Sequence, residues 1–244
     1  MKVLVHDTTE TLGEQASAQG AEAIVDAIET SGHANIIVAT GASQFAMLDS
    51  LIAHDIDWGR VTAFHLDEYV ALAVAHKASF RGYLRTRFVE RVSGLKEFVE
   101  VGGDAADLDR ELSRLNGRLA GEIVDVCFAG IGENCHLAFN DPPADFTTDD
   151  PYIVVELDQA CRQQQFGEGW FESLEAVPRR AISMGIRQIM KSRKIILSVP
   201  DQRKAEAVRN AVEQPVSRLY PASILQQHGD VTLHLDPASA SLLA

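Results

Sequence analysis

Short apolar runs recur along the chain and are separated by segments of helical periodicity. Met1–Val5, Asn35–Ala39 (NIIVA), Val61–Leu66 (VTAFHL), Val124–Phe128, Tyr152–Leu157 (YIVVEL), Lys194–Val199 (KIILSV) and Val231–Leu235 have the length and β-branched content of buried strands. Between them, Thr8–Thr30 places Leu12, Ala16, Ala21, Ile24 and Ile28 near helical spacing, with Thr11 and Glu14 resembling a capping box. Gln44–Ile52, Phe80–Val92 and Ala105–Gly121 read as further helices, and Pro200-Asp201-Gln202 opens another. Gly94–Gly103 reads as a linker or short strand, and Pro221–Leu225 as a helical turn. Small residues over Ala181–Ile186 suit a helix lying close on the sheet. Asp158–Leu174, polar with aromatics and glycines, suits a mobile cover over a site or an ordinary peripheral helix. Strands alternating with helices predict an α/β fold. We expect three α/β/α layers and a mainly parallel, twisted, Rossmann-like sheet, within one domain spanning 1–244.

Composition changes this picture little. Hydrophobic residues make up 46% and charged residues 23%, ordinary values for a globular protein. The net charge of -13 argues against non-specific nucleic-acid binding, which needs a basic surface. No apolar run reaches membrane-spanning length. Cys127, Cys135 and Cys161 lack metal-type spacing and point to a reducing, cytoplasmic setting without disulfides.

The candidate chemistry sits just after four of the strands. Thr40-Gly41-Ala42-Ser43 is a glycine turn running into a helix, an arrangement that holds phosphate or only turns and caps the chain. Asp67 and Glu68 are paired acids at a strand end, costly to bury. Gly130-Ile131-Gly132 precedes Glu133, Asn134, His136, Asn140 and Asp141. His136 is the acid/base candidate, because histidine is the side chain whose reference pKa lies near neutrality; Asn134, Glu133 and Asp141 are near enough in sequence to orient it. Cys135 and His136 are adjacent and should point apart, so a thiol–imidazole pair is disfavoured. Lys204 can reach a phosphate or stand as a solvated surface lysine. Groups converging after separate strands are what one shared site in an open α/β sheet requires.

ATGAS, FHLDEY, GIGENCHLAFNDP and AISMGIRQIM…KIILSVPDQRKAEAV together resemble the glucosamine-6-phosphate deaminase (isomerase) family, in family order over nearly the whole chain. Related 6-phosphogluconolactonases share the G-x-G-x-x-x-H segment but typically carry D-E-R where this chain has Asp67-Glu68-Tyr69. The resemblance implies a sugar-phosphate isomerase type of fold. It implies aldose–ketose isomerisation with deamination, taking glucosamine 6-phosphate to fructose 6-phosphate and ammonia, without metal or cofactor. His136 would serve ring opening and Asp67 would move the proton between carbons 2 and 1. Asp141 and Asn134 would support the histidine. Thr40, Gly41, Ala42, Ser43, Glu68 and Lys204 would bind substrate and phosphate.

Departures from the family pattern are specific. Asp141 stands where Glu is usual, so reaching His136 should need a backbone adjustment or a water. Asn134 replaces an Asp of some members, and Cys135 a Gly. Gln165 aligns with a phosphate-binding arginine; Arg162, one helical turn earlier, is the expected substitute. The chain ends soon after its last strand, which makes effector control less expected. A homo-oligomer stays open. The alternatives are a galactosamine-6-phosphate deaminase or other sugar-phosphate isomerase, a lactonase, and a non-catalytic sugar-phosphate sensor. The acidic charge and the absence of a helix-turn-helix segment ahead of the first strand disfavour the sensor.

Overall fold

The computed structural model describes residues 1–244. Seven strands form one parallel sheet: β1 (Lys2–Val5), β2 (Ala34–Val38), β3 (Val61–His65), β5 (Glu97–Val99), β6 (Val126–Ala129), β9 (Lys194–Val199) and β10 (Val231–Leu235). Their order is β1-β10-β9-β6-β2-β3-β5. The chain fills β2, β3 and β5 outward in one direction, then returns to the other side of β2 with β6. The turns after β2 and β6 therefore diverge and leave a crevice at the carboxyl ends of the strands.

Both faces of this sheet are covered, which is why its strands are continuously apolar. Along β2, Ile37 faces one core cluster of 33 residues while Ile36 and Val38 face another of 21. On the second face, α1 (Thr9–Ser31) packs against the sheet. A Cβ on Gly20 would stand 2.3 Å from the Phe128 ring, so this helix–strand approach requires glycine. The cap of α1 is Thr8, whose hydroxyl accepts from Thr11 N–H. The expected Thr11–Glu14 box lies one turn too far in, because the chain is already helical at Thr9.

A second, three-stranded antiparallel sheet was not foreseen. It comprises β4 (Asp67–Tyr69), β8 (Arg180–Met184) and β7 (Tyr152–Glu156), in the order β4-β8-β7. The Ala181–Ile186 stretch is thus a strand and not a close-packed helix. Its Ile182 pairs opposite both Glu68 and Val154, and long-range pairing outweighs a short, ambiguous local pattern. Leu66 links the sheets: its N–H donates to Val38 and its carbonyl accepts from Met184. Tyr152, Ile182 and Met184 join the larger core cluster, so the two sheets share apolar packing.

The remaining helices are α2 (Phe45–Leu51), α3 (Phe80–Leu84), α4 (Leu108–Leu119), α5 (Gln159–Gly167), α6 (Ile186–Ile189) and α7 (Ala205–Glu213). The expected single helix over Phe80–Val92 changes to a π turn at Arg85–Val89. Thr86 Oγ1 donates to the carbonyls of Gly82 and Tyr83 there, back-bonding that bends a helix. Three of its four arginines are ion-paired, Arg81 with Asp104, Arg85 with Glu100 and Arg91 with Asp49, while Arg87 stacks over the Phe45 ring.

Candidate active site

A cavity of about 400 Å³ opens at the crevice beside β2 and β6. Its lining comes from the carboxyl ends of six strands or the turns after them. These supply Thr9, Thr40–Ser43, Asp67, Gly130–Gly132, His136, Asp201, Arg203, Lys204 and Asp236. Phe80, Phe139 and the α5 residues Gln164, Gln165 and Glu168 complete the wall.

Asp67 stands where the chain leaves the main sheet for the second one. It is 6% exposed, and burial, then the neighbouring Glu68 charge, pushes its carboxyl up to about 8. A carboxylate raised into the neutral range can take and return a proton at ordinary pH.

His136 is held by its own loop. Its N–H donates to Asn134 Oδ1, and its carbonyl accepts from Gly132 N–H. The ring lies on Gly132, where a Cβ would stand 2.2 Å from it, so only glycine leaves room. His136 Nδ1 and Asp141 Oδ1 are 3.1 Å apart, within ion-pair reach, but the ring N–H is poorly aimed and leaves Nδ1 without a well-formed hydrogen bond. Such contacts are often loose without ligand. Asp141 therefore approaches His136 directly, so of the two expected routes for the shorter side chain no bridging water is needed. Asp141 also accepts from Asn134 Nδ2 at 3.0 Å and from Asp158 N–H at 2.9 Å. Burial raises its carboxyl, but His136 and these donors outweigh that and hold it below the ordinary value. Asn134 thus acts on the carboxylate and the loop backbone, and not on the imidazole as expected. Asn140 and Ser183 pin the loop to β8: Asn140 Nδ2 donates to Met184 carbonyl, and Phe139 N–H to Ser183 Oγ.

Cys135 takes φ 69, the left-handed region that favours glycine. Its thiol points toward the Ala207 carbonyl, 3.5 Å away, and burial pushes it up to about 11. His136, Asp141 and Cys161 place donor atoms within 4.8 Å of one another and form the one group with the composition of a metal site. Burial and the carboxylates of Asp141 and Asp158 push the Cys161 thiol far up, which opposes a thiolate ligand.

At the other end of the cavity, Gly41 has φ 99 and opens the Thr40–Ser43 turn. Gln44 Nε2 donates to the Ser198 carbonyl at 3.2 Å, tying this turn to the end of β9, whose following loop carries Lys204. Lys204 is buried to 7% exposure; burial lowers its ammonium, and Glu168 and Glu133 partly offset this.

Two expected binding residues fall elsewhere. Glu68 does not line the cavity. Its carboxylate accepts from Tyr69 N–H, Ser79 hydroxyl, Phe80 N–H and Arg81 N–H, and clamps the segment after β4. Arg162 also lies off the cavity. Its guanidinium donates to the Leu174 and Val177 carbonyls, which hold it away from the cavity. Gln165, on the inner face, lines the cavity and accepts from Tyr69 hydroxyl at 2.7 Å. Arg203, Asp236, Thr9 and Glu168 were not singled out from sequence. For Thr9 and Asp236 the signal was present, since each lies just past a strand end.

A sequence profile described as glucosamine-6-phosphate isomerases/6-phosphogluconolactonase matches residues 7–233. The glucosamine-6-phosphate deaminases of Bacillus thuringiensis (strain Al Hakam) and Bacillus cereus (strain AH820) are each 35% identical over 242 residues, 99% of this chain and 89% of theirs. A monomeric glucosamine-6-phosphate deaminase superposes with a TM-score of 0.88 at 31% identity, over 99% of this chain and 100% of its own. The 6-phosphogluconolactonase of Shewanella baltica OS155 gives 0.81 at 19% identity over 97% of each chain, a likeness of fold alone. With matches spanning nearly its whole length, the chain belongs to the glucosamine-6-phosphate isomerase/6-phosphogluconolactonase family.

Proposed function

We propose that the protein isomerises and deaminates glucosamine 6-phosphate, giving fructose 6-phosphate and ammonia with consumption of one water. The observation that carries this reading is one cavity holding Asp67, raised toward neutrality, and His136, backed by Asp141, opposite the Thr40–Ser43 turn and Lys204. The relatives named glucosamine-6-phosphate deaminase support the same reaction. Tyr69, where the lactonases carry arginine, is buried against Gln165 and supports the deaminase reading over the lactonase one.

His136 takes the proton of the anomeric hydroxyl and delivers one to the ring oxygen, opening the sugar. Asp67 then removes the proton from carbon 2 and returns one to carbon 1. Removal of the carbon-2 proton, as the carbon-1 oxygen gains one, gives the enolamine; return of the proton to carbon 1 turns this into the protonated ketimine, and water replaces its nitrogen to release ammonia. Carbon-bound protons are weak acids, so a base fixed at a rigid strand junction is required. These transfers use side chains alone and call for no metal or organic cofactor. The Thr40–Ser43 turn and Lys204 hold the phosphate, whose binding energy helps align the reacting carbons. A cytoplasmic setting belongs to the same proposal and fits three unpaired, buried thiols.

The test is ammonia and fructose 6-phosphate formation from glucosamine 6-phosphate, with galactosamine 6-phosphate alongside. Turnover of the glucosamine compound that falls at least about 100-fold in Asp67→Asn, with substrate still bound, is the expected result. Folded protein that binds both sugars and releases ammonia from neither sinks the reading.

A further inference from the structure

Arg203 and Lys204 are the two lysine or arginine side chains that line the cavity. Four carboxylates, Asp67, Glu168, Asp201 and Asp236, line it as well. A phosphate carrying nearly two negative charges entering this space is opposed by those acids unless both cations face it. Lys204 is a point charge; an arginine adds a planar fork that can grip two phosphate oxygens.

We propose that Arg203 is a second phosphate-binding cation of this site, acting beside Lys204; the inference rests on the sugar-phosphate reading above. Asp201 already holds one edge of the guanidinium, accepting from Nε at 3.1 Å and from Nη2 at 2.8 Å. That contact fixes the plane of the fork. Nη1 lies 3.6 Å from Glu133 Oε1, beyond hydrogen-bond distance. An oxyanion binding there therefore displaces only this loose ion pair with Glu133 and no hydrogen bond. The side chain is half exposed, so approaching phosphate displaces water and no packed group. Placement supports the role too. Gln165 contributes no charge to the wall, and the Arg162 guanidinium is held on backbone carbonyls outside it. The positive charge that α5 does not supply comes from the loop after β9.

The test compares wild type with Arg203→Gln and Arg203→Lys by steady-state kinetics on glucosamine 6-phosphate and by titration with inorganic phosphate. We expect Arg203→Gln to raise KM and weaken inorganic phosphate binding about 10-fold to 100-fold, the effect falling on KM more than on kcat. Arg203→Lys should recover part of the loss. A role confined to pairing Asp201 would leave KM and phosphate affinity within about twofold of wild type, and that result overturns the proposal. The phosphate titration keeps the two readings apart. A wild type that binds phosphate, loses it in Arg203→Gln and releases no ammonia from glucosamine 6-phosphate removes the proposed reaction and upholds the phosphate site. Should Arg203→Gln unfold, shown by circular dichroism, Arg203→Lys decides by the same two measurements.

Discussion

At the scale of single residues, Asp67 carries the sharpest consequence. Its carboxyl is moved from 3.8 to about 8 by burial and by Glu68. The folded protein thus binds a proton there that the unfolded chain has released, and this contribution to stability is lost as pH rises through about 8. The raised Glu68 carboxyl acts in the same direction. The same ionisation that weakens the fold supplies the base. We expect kcat/KM to climb with pH toward a pKa near 8, and a profile already flat from pH 6 would contradict Asp67 as the base. Between pH 5.5 and 8.5 wild type should lose more urea stability than Asp67→Asn, whose remaining pH dependence comes from Glu68 and from the buried His65 and His234, held neutral in the fold. Sequence identified Asp67 as a paired acid, but which of the two acids faces the cavity depends on pairing in β4, where neighbours point oppositely.

At the scale of elements, α5 shows how a helix sorts its residues by face. The stretch from Asp158 was read as a mobile cover or an ordinary helix. It is a helix whose Asp158 cap also touches Asn134, and whose Gln164 accepts from Glu133 N–H. Gln164 thereby braces the histidine loop, while Arg162, one turn before Gln165, is drawn aside to the Leu174 and Val177 carbonyls. Arg162→Gln should lower the unfolding free energy by about 1–3 kcal/mol, since it strips charge-assisted bonds from the Leu174 and Val177 carbonyls. KM for the phosphorylated substrate should stay within about twofold. A tenfold rise in KM without loss of stability would restore Arg162 to the phosphate site. Its candidacy from sequence failed because spacing places Arg162 near Gln165 but does not reveal the carbonyls outside the helix that take its guanidinium.

At the scale of the whole molecule, the two sheets are joined through Leu66 and a common cluster of 33 buried residues. Reading 1–244 as one domain then has a measurable consequence. Urea unfolding followed by tryptophan fluorescence and by far-ultraviolet circular dichroism should give one coincident transition. Two separated transitions would divide the chain. Trp58 packs on Phe88 at one face and Trp170 lies beside the aromatic cluster near the cavity, so the fluorescence samples both sides. The overall charge of -13 is no obstacle to a phosphate ligand, because Arg203 and Lys204 both line the cavity and a local cluster of cations decides such binding.

The sequence by itself determined the α/β architecture, because six of the seven apolar runs that read as strands became strands of the parallel sheet, with helical segments between them. It also determined where chemistry gathers, since Thr40–Ser43, Asp67, Asn134–Asp141 and Lys204 follow strand ends directly. Only tertiary structure decided what those residues touch. The second sheet arises from pairing between Asp67–Tyr69, Arg180–Met184 and Tyr152–Glu156, segments far apart along the chain, of which the apolar pattern marks only the last as a strand. Glu68 became a clamp, Arg162 a helix tie and Arg203 a cavity cation for the same reason. A side chain's role depends on which neighbours fill the space around it, and those neighbours come from distant parts of the chain.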